Sequence, residues 1–336
     1  MNARAVGAAK RPPISVLILT RNEERDLPGC LDSVAWCDDV HVFDSLSTDR
    51  TVEIAGARGA RVTTRAFDGY ASQRNAALHG LAFEHPWVLT LDADERAPPA
   101  LARELAEFTE RAPDHVAACR MRRRDFLGDR WLRHCQLSPY YLRLVRPERV
   151  HYEREVNEVL VVDGAIHDLR EPFDHYPFSK GIHHWLDKHN VYSTMEAQYV
   201  LENHRGGTRF SITGAFFARD FNERRRHQKE LFYRLPFRPA IKFLYLYVWR
   251  RGFLDGAAGF TFAMLQAIYE YLIVLKTREL ARSRRVPPPS PADVLGARQS
   301  PAPARGAGDT GGGAHNGFVP EATIEQATGG TRPAVE

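Results

Sequence analysis

The sequence WVLTLDADER, Trp87 to Arg96, indicates a fold class and the edge of that fold where a ligand would bind. Its first half is a continuous apolar run, which is typical of a strand covered on both faces. Asp92, Asp94 and Glu95 follow directly, and the carboxyl ends of such strands are where open α/β sheets bind ligands. Carboxylates spaced as Asp-x-Asp suit a hard divalent cation, which in turn suits a diphosphate.

Apolar strands and helical patterns alternate over the first third of the chain. In order they are the strand Ile14–Thr20, a helix around Leu27–Val34, the strand Asp39–Phe43, a helix around Val52–Ala55, the strand Arg61–Thr64, the helix Tyr70–His79, the strand that begins at Trp87, and a helix that Pro98 and Pro99 open and that ends near Arg111. This alternation predicts parallel strands joined by right-handed crossovers.

Polar clusters follow three of these strands: TRNEE from Thr20, DSLSTD from Asp44 and LDADE from Leu91. Each cluster alone fits ordinary loop chemistry, because Asn, Asp, Ser and Thr are common turn and cap residues. Three clusters at strand ends share one edge of a parallel sheet and therefore favour a site. The sequence has no GxGxxG after its first strand and no GxxxxGK[ST], which argues against a dinucleotide-binding or P-loop protein.

The order TRNEE, DSLSTDRT, QRNAAL and LDADE resembles a family 2 glycosyltransferase of the GT-A fold, over residues 14 to about 162. Three later segments, RLVRPERVHYEREVNEVL, HNVYSTMEAQ and LPFRPAIKFLYLYVWRRGFLDGAAG, resemble the branch that adds sugars to the inner core of bacterial lipopolysaccharide. The resemblance implies an α/β, Rossmann-like, mostly parallel sheet flanked by helices, then a helical membrane-associating region and a disordered tail. It also implies a hexosyl- or heptosyltransferase.

The same resemblance assigns roles to individual residues. Thr20, Asn22 and Glu23 would line the nucleotide base and ribose, Asp44 would accept a hydrogen bond from uracil, Arg74 and Asn75 would lie near the nucleotide, Asp92 would lie near the ribose or the metal's water shell, and Asp94 would bind Mg²⁺ or Mn²⁺. His175 is a candidate for a further metal ligand or phosphate contact, and the alternative is a structural histidine.

The expected reaction is direct, inverting attack by an acceptor hydroxyl on a nucleotide-activated sugar, with UDP as the expected nucleotide. A carboxylate is needed to accept the hydroxyl proton, and Glu153, Glu155 and Glu158 are the candidates. We favour Glu158, because the related branch often carries His-Glu where this chain has Asn157 and Glu158. The alternative is that this stretch is a strand with solvent-facing Glu residues.

Two other functions compete with glycosyl transfer. A sugar-phosphate nucleotidyltransferase shares the α/β layout and acidic metal sites, but it usually carries a Gly-rich basic loop after the first strand, where this chain has TRNEE. A non-catalytic membrane-bound scaffold could keep the fold without turnover. The intact Asp92, Asp94 and Glu158 argue against that role.

The composition of the 336-residue chain names no partner, since 46 basic and 42 acidic residues leave a formal net charge of only +4. Arginines cluster at Arg122–Arg124 and Arg224–Arg226, but no nucleic-acid-binding motif accompanies them, so we expect no nucleic-acid partner. Anionic lipid or an acidic acceptor fits these clusters better, and an ordinary solvated surface is the alternative. The four cysteines lack CxxC spacing and fit reduced thiols.

The segment Phe253–Leu275 is long and apolar enough to cross a bilayer, but it contains Asp255 and Glu270. A buried Asp at the centre of a membrane helix costs roughly 2.5–3.5 kcal/mol, so a simple span is not expected. We expect helices that lie in or on an anionic membrane surface, aided by the positive charges of Arg238, Lys242, Arg250 and Arg251. The alternative is a buried helical pair.

These features predict four regions. They are a disordered lead at 1–12, a catalytic domain at 13–180 that binds the nucleotide sugar and the acceptor, a helical and membrane-associated region at 181–284, and a disordered Pro/Gly/Ala-rich tail at 285–336. The first residues contain no apolar stretch of the signal-peptide type. The expected location is the cytoplasmic face of the inner membrane, peripheral or monotopic, with a lipid-linked glycan as acceptor.

Overall fold

The computed structural model describes residues 12–136, 138–153, 159–205, 211–217 and 221–283. The strands are β1 (Ile14–Thr20), β2 (Val40–Asp44), β3 (Arg61–Thr64), β4 (Trp87–Asp92), β5 (Glu95–Arg96), β6 (Val116–Leu127), β7 (Arg130–Trp131), β8 (Tyr140–Val145), β9 (Val150–Glu153), β10 (Val159–Val162), β11 (Ala165–Asp168) and β12 (Phe173–His175). The α-helices are α1 (Leu27–Ser33), α2 (Thr51–Ala57), α3 (Tyr70–Gly80), α4 (Pro99–Glu110), α5 (Gly181–Arg205), α6 (Ile212–Phe217), α7 (Phe221–Arg234), α8 (Arg238–Leu244) and α9 (Gly256–Ser283).

A mixed, mostly parallel sheet forms the centre of the protein, with strand order β3-β2-β1-β4-β8-β6-β12-β5. The strands β3, β2, β1 and β4 are all parallel. The chain builds outward from β1 to β3 and then returns to place β4 on the other side of β1, so the strand order reverses there. In an open α/β sheet, a ligand binds in the crevice at such a reversal, outside the carboxyl ends of the strands.

Both faces of β1 are covered, as its unbroken apolar sequence predicts. Ile14, Val16 and Ile18 belong to a buried cluster that also contains residues of α1 and α4. Leu17 points to the opposite side and belongs to a second cluster, which contains Ala77 and other residues of α3. Alternate side chains of a strand lie on opposite faces, so one short strand joins the two halves of the core.

The predicted fold class is confirmed: a mostly parallel sheet flanked by helices precedes a helical region. The structure adds one element to the WVLTLDADER stretch, because Glu95 and Arg96 form a short strand of their own, which pairs antiparallel with β12. The predicted disordered regions at 1–12 and 285–336 lie outside the described residues, apart from Pro12.

The chain divides into two compact units, which differ in their secondary structure. The first contains all the strands and the described residues up to Trp185, together with Leu244–Ala263. The second contains helical residues from Leu186–Phe243 and from Met264 onward. The predicted domain boundary near residue 180 remains a prediction. The structure groups Leu244–Ala263 with the sheet, which the prediction placed in the helical region.

Among the described residues, one helix, Gly252–Arg282, has a length and composition that suit a membrane span, with mean hydropathy 1.5 and one-third of its apolar window buried. Two of its acidic residues, Asp255 and Glu270, have partners that the structure shows. Asp255 accepts hydrogen bonds from the backbone N–H groups of His134 and Cys135, each 2.9 Å, and contacts His134 Nδ1 at 2.6 Å. Glu270 lies 3.2 Å from Arg238 Nε.

Two of the four basic residues expected to face a membrane lie elsewhere. Arg238 is only 5% exposed and is engaged by Glu270, and Arg250 donates to the carbonyl oxygens of His134 and Gln136. A buried or hydrogen-bonded guanidinium presents little charge to lipid. Arg238 and Arg250 therefore stabilise contacts within the protein. Arg251 is exposed.

We expect Asp255→Ala to lower the free energy of unfolding by roughly 2–6 kcal/mol, because the backbone N–H groups of His134 and Cys135 would lose their acceptor at about 1–3 kcal/mol each. Burial favours the neutral acid, but the hydrogen bonds from Cys135 and His134 outweigh it and lower the pKa of Asp255. The stabilisation is therefore present at neutral pH and is lost as the pH falls through this depressed pKa. Urea unfolding at pH 7 measures the effect, with the exposed Asp129→Ala as control; equal stability of the two variants would contradict the assignment.

Candidate active site

The loops after β1 and β2 are held together by hydrogen bonds at the carboxyl edge of the sheet. The backbone N–H of Asn22 donates to Ser47 Oγ at 2.8 Å, and Asn22 Oδ1 accepts from the backbone N–H of Thr48 at 2.8 Å. Asn22 has a φ of 55°, a left-handed conformation that Asn tolerates better than most residues. The predicted proximity of the TRNEE and DSLSTD clusters is therefore present in the structure.

Asp44 lies under these loops and is fully buried. One carboxylate oxygen accepts from Thr20 Oγ1 at 2.7 Å and from Ser47 Oγ at 2.5 Å, while the other accepts from the Ser47 backbone N–H at 2.7 Å. Thr20 and Asp44 thus hold β1 against β2 and fix the turn at Ser47. Their predicted contacts with a nucleotide remain predictions, and the structure gives both side chains a supporting role.

Glu23 accepts a hydrogen bond from a lysine that the sequence did not suggest. Lys180, which follows β12, donates to Glu23 Oε1 at 2.6 Å and to the backbone oxygen of Asn22 at 3.3 Å. One residue earlier, Ser179 donates to Asp26 at 2.8 Å. The chain segment after β12 is therefore bonded to the loop after β1, next to the acidic residues that end β4.

Asp92 lies between two arginines. Its Oδ1 is 3.3 Å from Arg74 of α3, and its Oδ2 is 3.1 Å from Arg143 of β8. Arg143 is almost completely buried and also contacts Glu95 Oε1 at 2.5 Å. Although burial disfavours its charge, the carboxylates of Glu95 and Asp92 raise the pKa of Arg143. With Arg74 and Arg143 already in contact with it, Asp92 fits an orienting role better than direct metal ligation.

Asp94 faces His175 across the end of the sheet. The Nε2 atom of His175 is 3.4 Å from Asp94 Oδ2, and its Nδ1 atom is 2.5 Å from Asp125 Oδ1. Burial and Arg123 act to lower the pKa of His175, but Asp94 and Asp125 outweigh them and raise it well above the ordinary value. Asp125 fixes the orientation of the imidazole, so that Nε2 faces the carboxylate.

Asp94 and His175 fit a divalent cation of the Mn²⁺ or Mg²⁺ type. The Asp94 side chain is 23% exposed and offers a carboxylate oxygen. The Nε2 atom of His175 would bind the cation after losing its proton. No group of three or more His, Cys, Asp or Glu residues with metal-site geometry occurs within the described part of the chain. Two protein ligands are enough where substrate phosphates and water supply the rest, as is common for Mg²⁺.

Asn75 makes a two-way hydrogen bond with the backbone of β9. Its Nδ2 donates to the oxygen of Tyr152 at 2.8 Å, and its Oδ1 accepts from the N–H of Tyr152 at 2.7 Å. The guanidinium of Arg74 lies 5.5 Å from the centre of the Tyr152 ring. Asn75 thus anchors β9, and its predicted place near the nucleotide remains a prediction.

Glu158 and Glu155 lie outside the described residues, while Glu153 is an exposed residue of β9.

Three features of this site were not predicted from the sequence: the buried, supporting role of Glu95 and the contacts of Arg143 and Lys180. Glu95 belongs to the LDADE cluster but is 1% exposed and paired with Arg143, so it supports the site from below. A signal for Arg143 existed, because a single charge in the otherwise apolar YYLRLV strand calls for a buried partner. Lys180 gave no signal, since 157 residues separate it from Glu23.

We expect Glu23→Gln to flatten the pH dependence of stability. Burial raises the pKa of Glu23 to about 8, with Lys180 opposing the shift, from an ordinary value of 4.5. Between those values the folded protein keeps a proton that the unfolded chain gives up, so stability falls as pH rises, by up to ~1.4 kcal/mol per pH unit. Gln cannot titrate, and the fall should be smaller in the variant.

Urea unfolding at pH 5.5, 7 and 8.5 measures this slope. The adjacent, exposed Glu24→Gln serves as the matched control and should keep the slope of the parent. An unchanged slope in Glu23→Gln would mean that this carboxyl is already ionised throughout that range.

The α/β fold, the paired loops and the acidic edge place a candidate ligand-binding site at the carboxyl ends of the strands. The family model for glycosyl transferase family 2 matches residues 15–166, which covers β1 to β11. Residues 15–166 therefore match a glycosyl transferase family 2 domain, and the protein is a glycosyltransferase, as the order of its four motifs predicts.

Curated relatives extend the similarity beyond that domain. The chain is 29% identical over 272 residues to the lipopolysaccharide core biosynthesis glycosyltransferase LpsC of Rhizobium meliloti, covering 79% of this chain and 91% of LpsC. It is 28% identical to an uncharacterized glycosyltransferase of Rickettsia typhi, covering 81% of this chain and 89% of that protein.

Among solved structures, a mannosyltransferase from Pyrobaculum calidifontis in complex with GDP-Man and Mn²⁺ is similar over 80% of this chain and 88% of its own, with 15% identity and a TM-score of 0.44. Glucosyl-3-phosphoglycerate synthase from Mycobacterium tuberculosis, in complex with Mn²⁺, UDP and phosphoglyceric acid, is similar over 34% of this chain and 44% of its own, with 25% identity and a TM-score of 0.29.

Proposed function

We propose that this enzyme transfers a sugar from a UDP-linked donor to a lipid-linked glycan, with inversion at the anomeric carbon and with Mg²⁺ or Mn²⁺ bound. The observation that carries the proposal is the pair Asp94 and His175, placed beside Asp92 and two arginines at the reversal point of the sheet. Similarity to LpsC over most of the chain supports a glycan acceptor of the lipopolysaccharide core type.

In this proposal the loops at Asn22 and Ser47 hold the nucleoside, and the acidic edge holds the diphosphate. Asp94 and His175 would hold the cation, which supplies positive charge next to the leaving diphosphate when it is bound. Arg74 is partly exposed beside Asp92, and its guanidinium is suited to a phosphate oxygen. Arg143 is too deeply buried for that role and instead fixes the carboxylates.

The bond changes follow from direct displacement. The acceptor hydroxyl oxygen forms a bond to C1 of the sugar while the bond from C1 to the diphosphate oxygen breaks. The electron pair of that bond leaves with UDP, and the hydroxyl proton passes to a carboxylate, for which we propose Glu158. The family match supports glycosyl over nucleotidyl transfer, since nucleotidyl transfer would release pyrophosphate instead of UDP.

Calorimetry with UDP, GDP and CMP in the presence of Mn²⁺ tests the nucleotide part of the proposal. UDP is expected to bind more tightly than GDP or CMP, and Asp94→Asn should weaken UDP binding because Asp94 would hold the cation that supplies positive charge to the diphosphate. Tighter binding of GDP or CMP would mean that the donor sugar is linked to that nucleotide instead of UDP. Binding of UDP that is indifferent to Mn²⁺ would contradict the metal-bridged site.

We also propose that the enzyme lies on an anionic membrane surface through two short helical segments, the π-helical turn Tyr245–Trp249 and the 3₁₀ helix Gly252–Asp255. Trp249 is 81% exposed, and Val248, Phe253 and Leu254 are each about half exposed. Asp255 and Arg250 fasten this segment to residues His134–Gln136 of the sheet unit. Arg251, which is exposed and next to the apolar side chains, can meet a lipid phosphate.

Replacing Trp249 and Phe253 together by Ser should reduce co-sedimentation with phosphatidylglycerol liposomes, most clearly at high salt, because apolar burial is not screened. A matched double variant, Val52→Ser with Ile166→Ser, also removes two exposed apolar side chains and should bind like the parent. Equal binding of both double variants would place the contact surface elsewhere, and absence of binding by the parent would remove the membrane from the proposal.

A further inference from the structure

A cavity lies entirely within the helical second unit, far along the chain from the acidic edge. It opens between the end of α7, the start of α8 and the second half of α9, and its volume is about 620 Å³. Sites for small organic ligands in proteins have volumes of roughly 300–1,000 Å³. The cavity is therefore large enough for a ligand, and no residue of it belongs to the proposed glycosyl-transfer site.

The walls of the cavity are mainly apolar. Val200 is almost fully buried, Val274 is partly buried, and Leu235 and Tyr271 are 39% and 52% exposed. Two polar side chains near the walls already have partners: the Tyr233 hydroxyl donates to Glu196 at 2.6 Å, and the Thr277 hydroxyl donates to the oxygen of Ile273 at 2.7 Å. A ligand in this cavity would bury mostly apolar surface.

Phe237 lies at the cavity, in the corner between α7 and α8, and is unusual in two ways. Its side chain is 83% exposed, and its backbone φ is +54°. A bulky aromatic residue rarely adopts this left-handed conformation, because its Cβ meets the backbone. Backbone strain of this kind is often found at ligand-binding positions, and here it directs an aromatic ring into solvent beside an apolar cavity.

The charge of the cavity is unevenly distributed. Arg238 is buried and lies 3.2 Å from Glu270, so its charge is balanced inside the protein. Arg278, on the last part of α9, is exposed and also lines the cavity. No ion pair of Arg278 is found among residues 186–205, 211–217 and 221–283. An apolar cavity with a positive charge at its mouth is complementary to an amphiphile with an anionic head.

We propose that this cavity binds one acyl chain of an anionic phospholipid, with the chain against Val200, Leu235 and Val274 and the phosphate next to Arg278. Phe237 and Tyr271 would cover the chain where it enters. The apolar walls favour this ligand over a nucleotide or a peptide, each of which brings polar groups that would lack partners here. The inference goes beyond glycosyl transfer and does not depend on it.

Native mass spectrometry of the full-length protein, released from mixed micelles of phosphatidylglycerol and phosphatidylcholine in equal amounts, tests the proposal. The parent should retain one phosphatidylglycerol molecule. Val274→Trp fills the cavity and should raise the Kd for phosphatidylglycerol about tenfold, which is one unit in log Kd. Ile268→Trp adds the same side chain to a half-exposed position of α9 outside the cavity and should bind like the parent.

Arg278→Gln tests the charge separately. This variant should still bind a lipid but lose about fivefold of the preference for phosphatidylglycerol over phosphatidylcholine. The exposed Arg282→Gln, about one turn further along the same helix, should keep the preference of the parent. An equal preference in all three proteins would contradict the role of Arg278.

Three results would overturn the proposal: no one-to-one lipid adduct of the parent, equal adducts in Val274→Trp and Ile268→Trp, or a protein dimer that loses its affinity in Val274→Trp, which would mean that a second copy fills the cavity. Circular dichroism confirms that each variant is folded. Calorimetry with UDP is run on the same samples. Unchanged UDP binding alongside a lost lipid adduct separates this inference from the proposed function.

Discussion

Asp94→Asn is expected to lower kcat by about 10²–10³-fold, the usual loss when one group that stabilises transition-state charge is removed. The substitution keeps the size of the side chain but removes the charge that faces His175 at 3.4 Å and that would hold the cation. Because leaving-group charge develops as the bond to C1 breaks, the loss should fall mainly on kcat.

Initial rates of UDP release at saturating donor and Mn²⁺ measure this effect. Asp163→Asn removes an equivalent charge from an exposed position outside the proposed site and should leave the rate unchanged. Thermal unfolding of Asp94→Asn should stay close to that of the parent, since Asp94 is partly exposed. Full turnover of Asp94→Asn would contradict the assignment of the Asp-x-Asp sequence as the metal site.

Glu158→Gln should lower kcat by about 10²–10⁴-fold, the usual contribution of a positioned general base. Gln has the same shape as Glu but cannot accept the proton of the acceptor hydroxyl. Donor affinity should barely change, because the base acts on the acceptor. The decline should be seen at saturating concentrations of both substrates.

Glu153→Gln is the matched control, since Glu153 is an exposed residue of β9 that contacts the His151 side chain at 3.1 Å. It should retain activity. If Glu153→Gln or Glu155→Gln is inactive and Glu158→Gln is active, the base has been assigned to the wrong carboxylate.

The order of elements in the sheet unit could be predicted from the sequence because each element carries a local signal. The apolar runs at Ile14 and Trp87 become β1 and β4, and Pro99 starts α4 as expected of a proline in a first helical turn. The short strand β5 could not be predicted. Its two residues pair with Asp174 and His175, and a pairing across so long a stretch of chain leaves no periodic pattern.

The parts of the candidate site that depend on local sequence could also be predicted. Its loops carry recognisable polar clusters, and the parallel strands bring these clusters to one edge. The contacts of Lys180 with Glu23, of Arg143 with Asp92 and Glu95, and of Asp125 with His175 depend on tertiary structure. The sequence predicted more exposed positive charge in the helical region than the structure has. The partners of Arg238 and Arg250 depend on tertiary structure and could not be identified from the sequence.

The link between Asn75 and Tyr152 connects the two halves of the proposed mechanism. Asn75 and Arg74 are neighbours on α3; one binds the backbone of β9, and the other contacts Asp92. A shift of α3 would therefore move the arginine beside the acidic edge together with the strand that precedes the proposed base.

The most direct test of the central claim is product analysis with the full-length enzyme, Mn²⁺, a panel of UDP-, GDP- and CMP-linked sugars, and a lipid-linked glycan from lipopolysaccharide core. We predict release of UDP from a UDP-sugar only when the glycan is present, an inverted anomeric configuration in the product by NMR, and loss of both with Asp94→Asn. Release of pyrophosphate from UTP and a sugar phosphate, or a product with retained configuration, would contradict the account.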